Sequence, residues 1–262
     1  MPPPVMTKTP DIRPLSRREM LCGTGATILT ALMRSSPASS GAEALTGGPP
    51  ERSMRTAAVT APGCVVRPQQ TEGPYFVDER LHRVDIRLDA SDGSVAEGVL
   101  LHLAFHVSRL AADTCTPLQG AVIDVWQCDA LGRYSDVSDM NAFFDTRGKK
   151  FLRGSQMTDA SGSTQFITIY PGWYPGRTVH IHFKIRTDPA ARRGFEFTSQ
   201  LYFEDALTDY VHGQAPYATK GPRPVRNDRD GIFRSGGRQL LLQLTQEAQG
   251  YRGTFDIGLQ IT

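Results

Sequence analysis

The chain has 262 residues, 39% of them hydrophobic, with 25 glycines, 18 prolines and a formal net charge of +2. That length and apolar content suit one large domain or two small ones with a real core, and exclude a disordered chain. A net charge so close to zero offers no footprint for nucleic acid or an anionic membrane surface.

The first residues in chain order are expected to lie outside the fold. Lys8, Arg13, Arg17 and Arg18 precede an uncharged run from Met20 to Met33, followed by Pro37, a serine-rich patch and Ala42-Glu43-Ala44. These read as the basic region, apolar region and small-x-small cleavage site of a secretory signal. The apolar run is too short and too rich in Gly and Thr to span a bilayer stably. At its start, Ser16-Arg17-Arg18-Glu19-Met20-Leu21 resembles the twin-arginine export signal, an address read by the export machinery. Proteins carrying that signal often fold and acquire a cofactor before export, which suits an enzyme loaded with metal in the cytoplasm. The predicted organisation is a signal over residues 1–44, a Gly/Pro-rich linker over 45–63 and one domain over 64–262. The expected location is periplasmic or extracellular. Removing residues 1–44 takes away five basic and three acidic residues, leaving a formally neutral chain.

Cys22 falls in the signal, so Cys64, Cys115 and Cys128 remain for an oxidising compartment. One disulfide and one buried thiol is the natural arithmetic. Spacing does not give the connectivity. Cys128 sits inside an apolar strand and reads as core packing, so Cys64 with Cys115 is the expected pair, with the connectivity left open by the sequence.

From Cys64 the texture is that of short strands and turns. TEGPYFVDE (71–79) is turn-rich with two aromatics, and Leu100 to Leu110 alternates apolar residues as a strand does. Pro117 and Gly120 break that pattern. A strand from Ala121 to Cys128 follows, then a turn at Asp129 to Gly132, then a polar, irregular stretch over 137–156. Asp159-Ala160-Ser161-Gly162 reads as a hairpin turn before the strand Thr164 to Ile169. Strands Val179 to Ile185 and Thr198 to Phe203 come next, then a short helix around Asp205 to His212. A loop from Thr219 to Arg238 carries six basic residues, with Asp228 and Asp230 among them, and reads as solvated. Strands Gln239 to Leu244 and Gly253 to Ile261 close the chain. Without a sustained 3.6-residue apolar period, this pattern predicts an all-β fold, a two-sheet β-sandwich with long loops and few short helices.

Chemistry concentrates in GWYPGRTVHIHFKI (172–185). His180 and His182 alternate with Val179, Ile181 and Phe183, so on a strand both imidazoles project one way and the apolar residues the other. Two imidazoles on one face can grip a metal ion. Alone, the pair reads as polar residues on a solvated face; Tyr174 and Arg177 just upstream shift the reading.

Three blocks, GAVIDVWQCDALGRYSD (120–136), FLRGSQMTDASGSTQFITIYPGWYPGRTVHIHFKI (151–185) and TSQLYFEDAL (198–207), together with TEGPYFVDE, resemble the intradiol ring-cleavage dioxygenases. That family includes protocatechuate 3,4-dioxygenase and catechol 1,2-dioxygenase. The resemblance implies one Fe(III) per chain, held by Tyr134, Tyr174, His180 and His182. Hard phenolate and imidazole donors suit ferric iron, and a bound cation holds a phenol ionised. It implies further that Tyr174 is displaced by the substrate and serves as a base, that Arg177 stabilises negative charge on the ring, and that Gln200 supports it. Tyr75 would line the substrate pocket. The implied partners are a small aromatic diol and O2. Taken singly, Tyr134, Tyr75 and Gln200 are ordinary packing residues, Arg177 an ordinary surface residue and Trp126 core; only their joint register carries the resemblance. The sequence leaves open the preferred catechol and the oligomeric state.

Two other readings compete. An exported β-sandwich binding module for carbohydrate or protein gives the tyrosines no reason to sit in register with the histidines. A zinc hydrolase built on His180 and His182 lacks a carboxylate placed as third ligand.

Overall fold

The computed structural model describes residues 64–112, 114–141, 143–187 and 194–261. The expected signal (1–44) and linker (45–63) lie outside the described residues. Among the described residues nine strands form two sheets, as the sequence pattern predicts. One sheet has the order β2-β1-β9-β8, with β5 also paired to β1. Its strands are β1 (Leu100–Ala111), β2 (Thr114–Pro117), β5 (Ser163–Ile169), β8 (Leu244–Glu247) and β9 (Gly250–Gln260). The other has the order β4-β3-β6-β7, from β3 (Val122–Trp126), β4 (Arg153–Met157), β6 (His180–Arg186) and β7 (Glu196–Tyr202).

The two inner faces meet in one apolar core. Leu101, Leu103, Phe105 and Val107 enter it from β1, Phe255 and Ile257 from β9, Ile181, Phe183 and Ile185 from β6. Phe105 sits at the centre, 5.3 Å from the Phe183 ring and 6.0 Å from that of Phe255. The alternation that predicted strands therefore divides core from outer face.

A short helix, α1 (Asp205–His212), falls where the sequence placed it, and a second, α2 (Gly231–Arg234), lies inside the supposed loop. Among the described residues no helix is long and apolar enough to cross a membrane. The Cys64–Cys115 disulfide is present and Cys128 is a free, buried thiol.

Three expectations need correction. The strand expected over Gln239 to Leu244 is a 3-10 turn, Gly237–Leu240, followed by the later strand β8. Gly236 takes a left-handed φ of 103°, which breaks the chain before the apolar residues begin. Leu240 and Leu242 still reach the core, because Leu242 docks its amide on the Tyr202 carbonyl at 2.8 Å. The irregular stretch over 137–156 contains the start of β4, hidden because its buried outer-face residues, Arg153 and Ser155, are polar. The short edge strand β2 was also missed, because it is mostly exposed and so lacks an apolar face.

Candidate active site

The face of β6 turned away from the core carries His180 and His182, only 2% and 1% exposed. They are not on a solvated face. The N-terminal segment lies across them, tied down by Lys184 to Glu72, by Arg186 to Asp78 at 3.3 Å and by Lys150 to Glu79 at 2.7 Å. The two Nε2 atoms stand 3.0 Å apart, and the Tyr174 hydroxyl lies 3.3 Å from Nε2 of His180. Nδ1 of His180 donates to the Thr178 carbonyl at 2.6 Å, which leaves its Nε2 with a lone pair. Burial, reinforced by the Arg177 charge, brings His180 down to about 3; burial and the neighbouring His180 hold His182 well below its ordinary value. Both are neutral donors.

Tyr134 and Tyr174 come from loops that lock together. Asp129 caps the turn before Tyr134, its Oδ1 accepting from the amides of Leu131 and Arg133 at 2.9 Å. Gly132 in that turn has φ of 80°, and a Cβ there would collide with the Trp173 carbonyl. Gly172 is pressed against the carbonyls of Ala130 and Asp129 and donates its amide to Asp129 at 3.1 Å. The tyrosine rings consequently meet edge-on at 5.6 Å. Tyr134 is fully buried and its hydroxyl has no hydrogen-bond partner. Burial, with Tyr174 beside it, pushes that phenol well above its ordinary value; burial raises Tyr174 to about 12 despite the Arg177 charge.

This donor set fits a hard trivalent cation. A buried hydroxyl without a partner costs about 1–3 kcal/mol, and a metal ion would supply what the Tyr134 oxygen lacks while holding it as phenolate. Among the described residues no group of three or more His, Cys, Asp or Glu side chains can hold a metal, so a zinc site of ordinary ligands finds no support.

Arg177 is held rigidly. Its Nε donates to Oδ2 of Asp230 at 2.8 Å and its Nη2 to the Gln200 side-chain carbonyl at 2.7 Å. Gln200 in turn donates to the Thr71 carbonyl at 2.9 Å. Tyr75 stacks on Tyr134 with centroids 4.6 Å apart and donates its hydroxyl to Asp139. Tyr75, Tyr174 and Arg177 line a cavity of about 750 Å³, with Met140, Phe143 and Trp173 at its apolar rim. Tyr134, His180 and His182 lie beneath its lining. All seven residues singled out in the sequence are thus brought together.

Asp230 is the main residue that sequence reasoning missed, being read as one charge in a solvated basic loop. It is 1% exposed, accepts from the Thr178 amide at 2.8 Å and caps α2 through Ile232 at 2.7 Å. An aspartate directly before Gly-Ile-Phe is an N-cap signature, and that was the available signal. Two of the loop's arginines are paired in place. Arg223 bonds Asp205 at 2.6 Å and Asp209 at 3.0 Å, and Arg226 bonds Asp209 at 2.5 Å.

A family model described as "Dioxygenase" matches residues 71–221. Chlorocatechol 1,2-dioxygenase of Pseudomonas putida is 30% identical over 174 residues, 55% of this chain and 58% of that protein. The protocatechuate 3,4-dioxygenase beta chain of Burkholderia cepacia is 38% identical over 104 residues, 36% of this chain and 42% of that protein. The chain spans about half the length of these curated relatives. Among solved structures, an intradiol ring-cleavage dioxygenase from Tetranychus urticae superposes with a TM-score of 0.64 at 27% identity, covering 75% of this chain and 95% of that one.

Proposed function

The chain belongs to the intradiol ring-cleavage dioxygenase family, and on that premise we propose that it is an Fe(III) enzyme cleaving a catecholic ring with O2. The bond between the two hydroxylated carbons breaks, both oxygen atoms enter the product, and a muconate-type dicarboxylate leaves. A ferric ion held by Tyr134, Tyr174, His180 and His182 would supply a Lewis-acidic centre that binds a catechol and lowers the pKa of its hydroxyls.

The observation that supports this best is the asymmetry of the two phenols. Tyr174 opens into the cavity while Tyr134 is sealed beneath it. An incoming diol therefore meets Tyr174 first, and Tyr174, as the phenolate that a ferric ion would hold, would be the base that takes up a substrate proton. Arg177, fixed by Asp230 and Gln200, contributes a positive charge at the ring as negative charge develops there. Tyr75 walls the pocket against water. The cavity lies within the roughly 300–1,000 Å³ of ligand sites, and its rim of Met140, Phe143 and Trp173 suits a ring bearing an apolar substituent.

An exported enzyme is in keeping with the signal-like residues 1–44 and with the Cys64–Cys115 disulfide, a bond that persists in oxidising compartments.

A visible absorption spectrum of the purified protein, before and after anaerobic addition of catechol, tests the proposal. A broad tyrosinate-to-iron band that shifts with catechol is expected. A colourless protein that takes up no iron on reconstitution overturns it.

A further inference from the structure

The two histidines are oriented by different means. His180 is fixed by the Thr178 carbonyl at its Nδ1, the usual arrangement for a metal-ligating imidazole. Nδ1 of His182 is buried and has no hydrogen-bond partner, yet its Nε2 meets that of His180 at 3.0 Å. Something else sets that ring.

Trp126 is directly opposite His182 in the β3–β6 register. Its indole stacks on the imidazole with centroids 5.0 Å apart and planes 7° from parallel. Trp126 is itself immobilised, 1% exposed with the Phe76 ring edge-on at 4.8 Å. Gly73, at φ of 74°, also closes on the imidazole: a Cβ there would stand 3.2 Å from Cε1 of His182.

We propose that Trp126 is the positioning residue for His182, its ring face replacing the hydrogen bond that orients His180, with Gly73 left without a side chain so that the imidazole can keep that plane. This rests on the reading of His182 as an iron ligand. The stack fixes the plane of the ring, whereas a hydrogen bond would also fix the tautomer; a metal held by Nε2 would leave the proton on Nδ1.

The test measures iron per chain in the purified holoprotein and the rate of iron loss to a chelator, followed by decay of the tyrosinate band. Thermal midpoints are recorded alongside. Four variants are compared: Trp126→Leu, Trp126→Phe, Gly73→Ala and, as control, Phe105→Leu, which removes a ring from the core between the sheets. Trp126→Leu and Gly73→Ala are expected to lose iron about tenfold faster, the size of effect typical for residues supporting a ligand. Trp126→Phe, which keeps a face to stack on, should hold iron nearly as well as the wild type. Phe105→Leu should melt lower but retain iron at the wild-type rate. Gly73→Ala removes no core ring and keeps the test open should Trp126→Leu fail to fold. Wild-type iron retention in both Trp126→Leu and Gly73→Ala overturns the inference alone, as does equal loss in Phe105→Leu. A wild-type protein without iron overturns the iron reading, and the inference with it.

Discussion

Arg177 and Asp230, fifty-three residues apart, are joined by an Nε–Oδ2 hydrogen bond of 2.8 Å in which the carboxylate is almost wholly buried. The same oxygen accepts the Thr178 amide at 2.8 Å, and the other oxygen caps α2. One carboxylate thereby aims the arginine, shapes the turn into β6 and starts a helix.

Burial alone would raise the Asp230 pKa, but the Thr178 amide and the Arg177 charge outweigh it and hold the carboxyl below its usual range. A carboxylate depressed in the fold stabilises it above the unfolded carboxylate range, and that stability is lost as pH falls through the lower folded value. Asp230→Asn should cost about 1.5–3 kcal/mol at pH 7. In urea unfolding, the gap between wild type and variant should narrow steadily below pH 4. A gap independent of pH would show that the charge on Asp230 does not contribute.

Tyr134→Phe keeps the ring that stacks on Tyr75 and removes a hydroxyl that no protein group satisfies. The apoprotein should therefore melt within about 1 kcal/mol of the wild type or slightly higher. The holoprotein should lose most of its visible band and its turnover of catechol. Retained colour with unchanged iron content would remove Tyr134 from the metal site.

Phe143 stands 67% exposed at the cavity rim. Replacing it with alanine leaves the reacting groups untouched and removes apolar area only from the mouth. For a catechol carrying an apolar substituent, KM should rise about fivefold, the equivalent of about 1 kcal/mol of lost apolar contact. For unsubstituted catechol, KM and kcat should stay near wild type. Equal effects on both substrates would place the substituent elsewhere.

Cys64 and Cys115 close a loop with a sequence separation of 51. Cys115→Ser should destabilise the domain by about 2–4 kcal/mol through a freer unfolded chain. Guanidinium unfolding should show the same loss in wild type after reduction. The band and turnover should survive, since the bridge joins residue 64 to β2 and touches none of the site residues.

Much of this protein is legible in its sequence because the signals are local. Alternation at β1 and β6 reports which face enters the core between the sheets, and it placed His180 and His182 together on the side away from Phe183. The turn residues at 129–132 and 171–172 marked where the tyrosine loops begin. Strand β4 escaped notice because its buried outer face carries the polar Arg153 and Ser155 and the residue between them is Gly154, so hydrophobic period cannot see it.

What composition and spacing determined were the sandwich, its strand faces and the histidine pair, since side-chain alternation and turn chemistry act over a few residues; the tyrosine donors came from the resemblance of whole motif blocks. Only the tertiary structure decided that Asp230 belongs to Arg177, that Tyr174 rather than Tyr134 opens to the cavity, and that Trp126 lies flat on His182. Those relationships depend on strand register and on loops meeting from distant parts of the chain. No single stretch of sequence encodes such a contact, because its energy arises only when both partners are buried together.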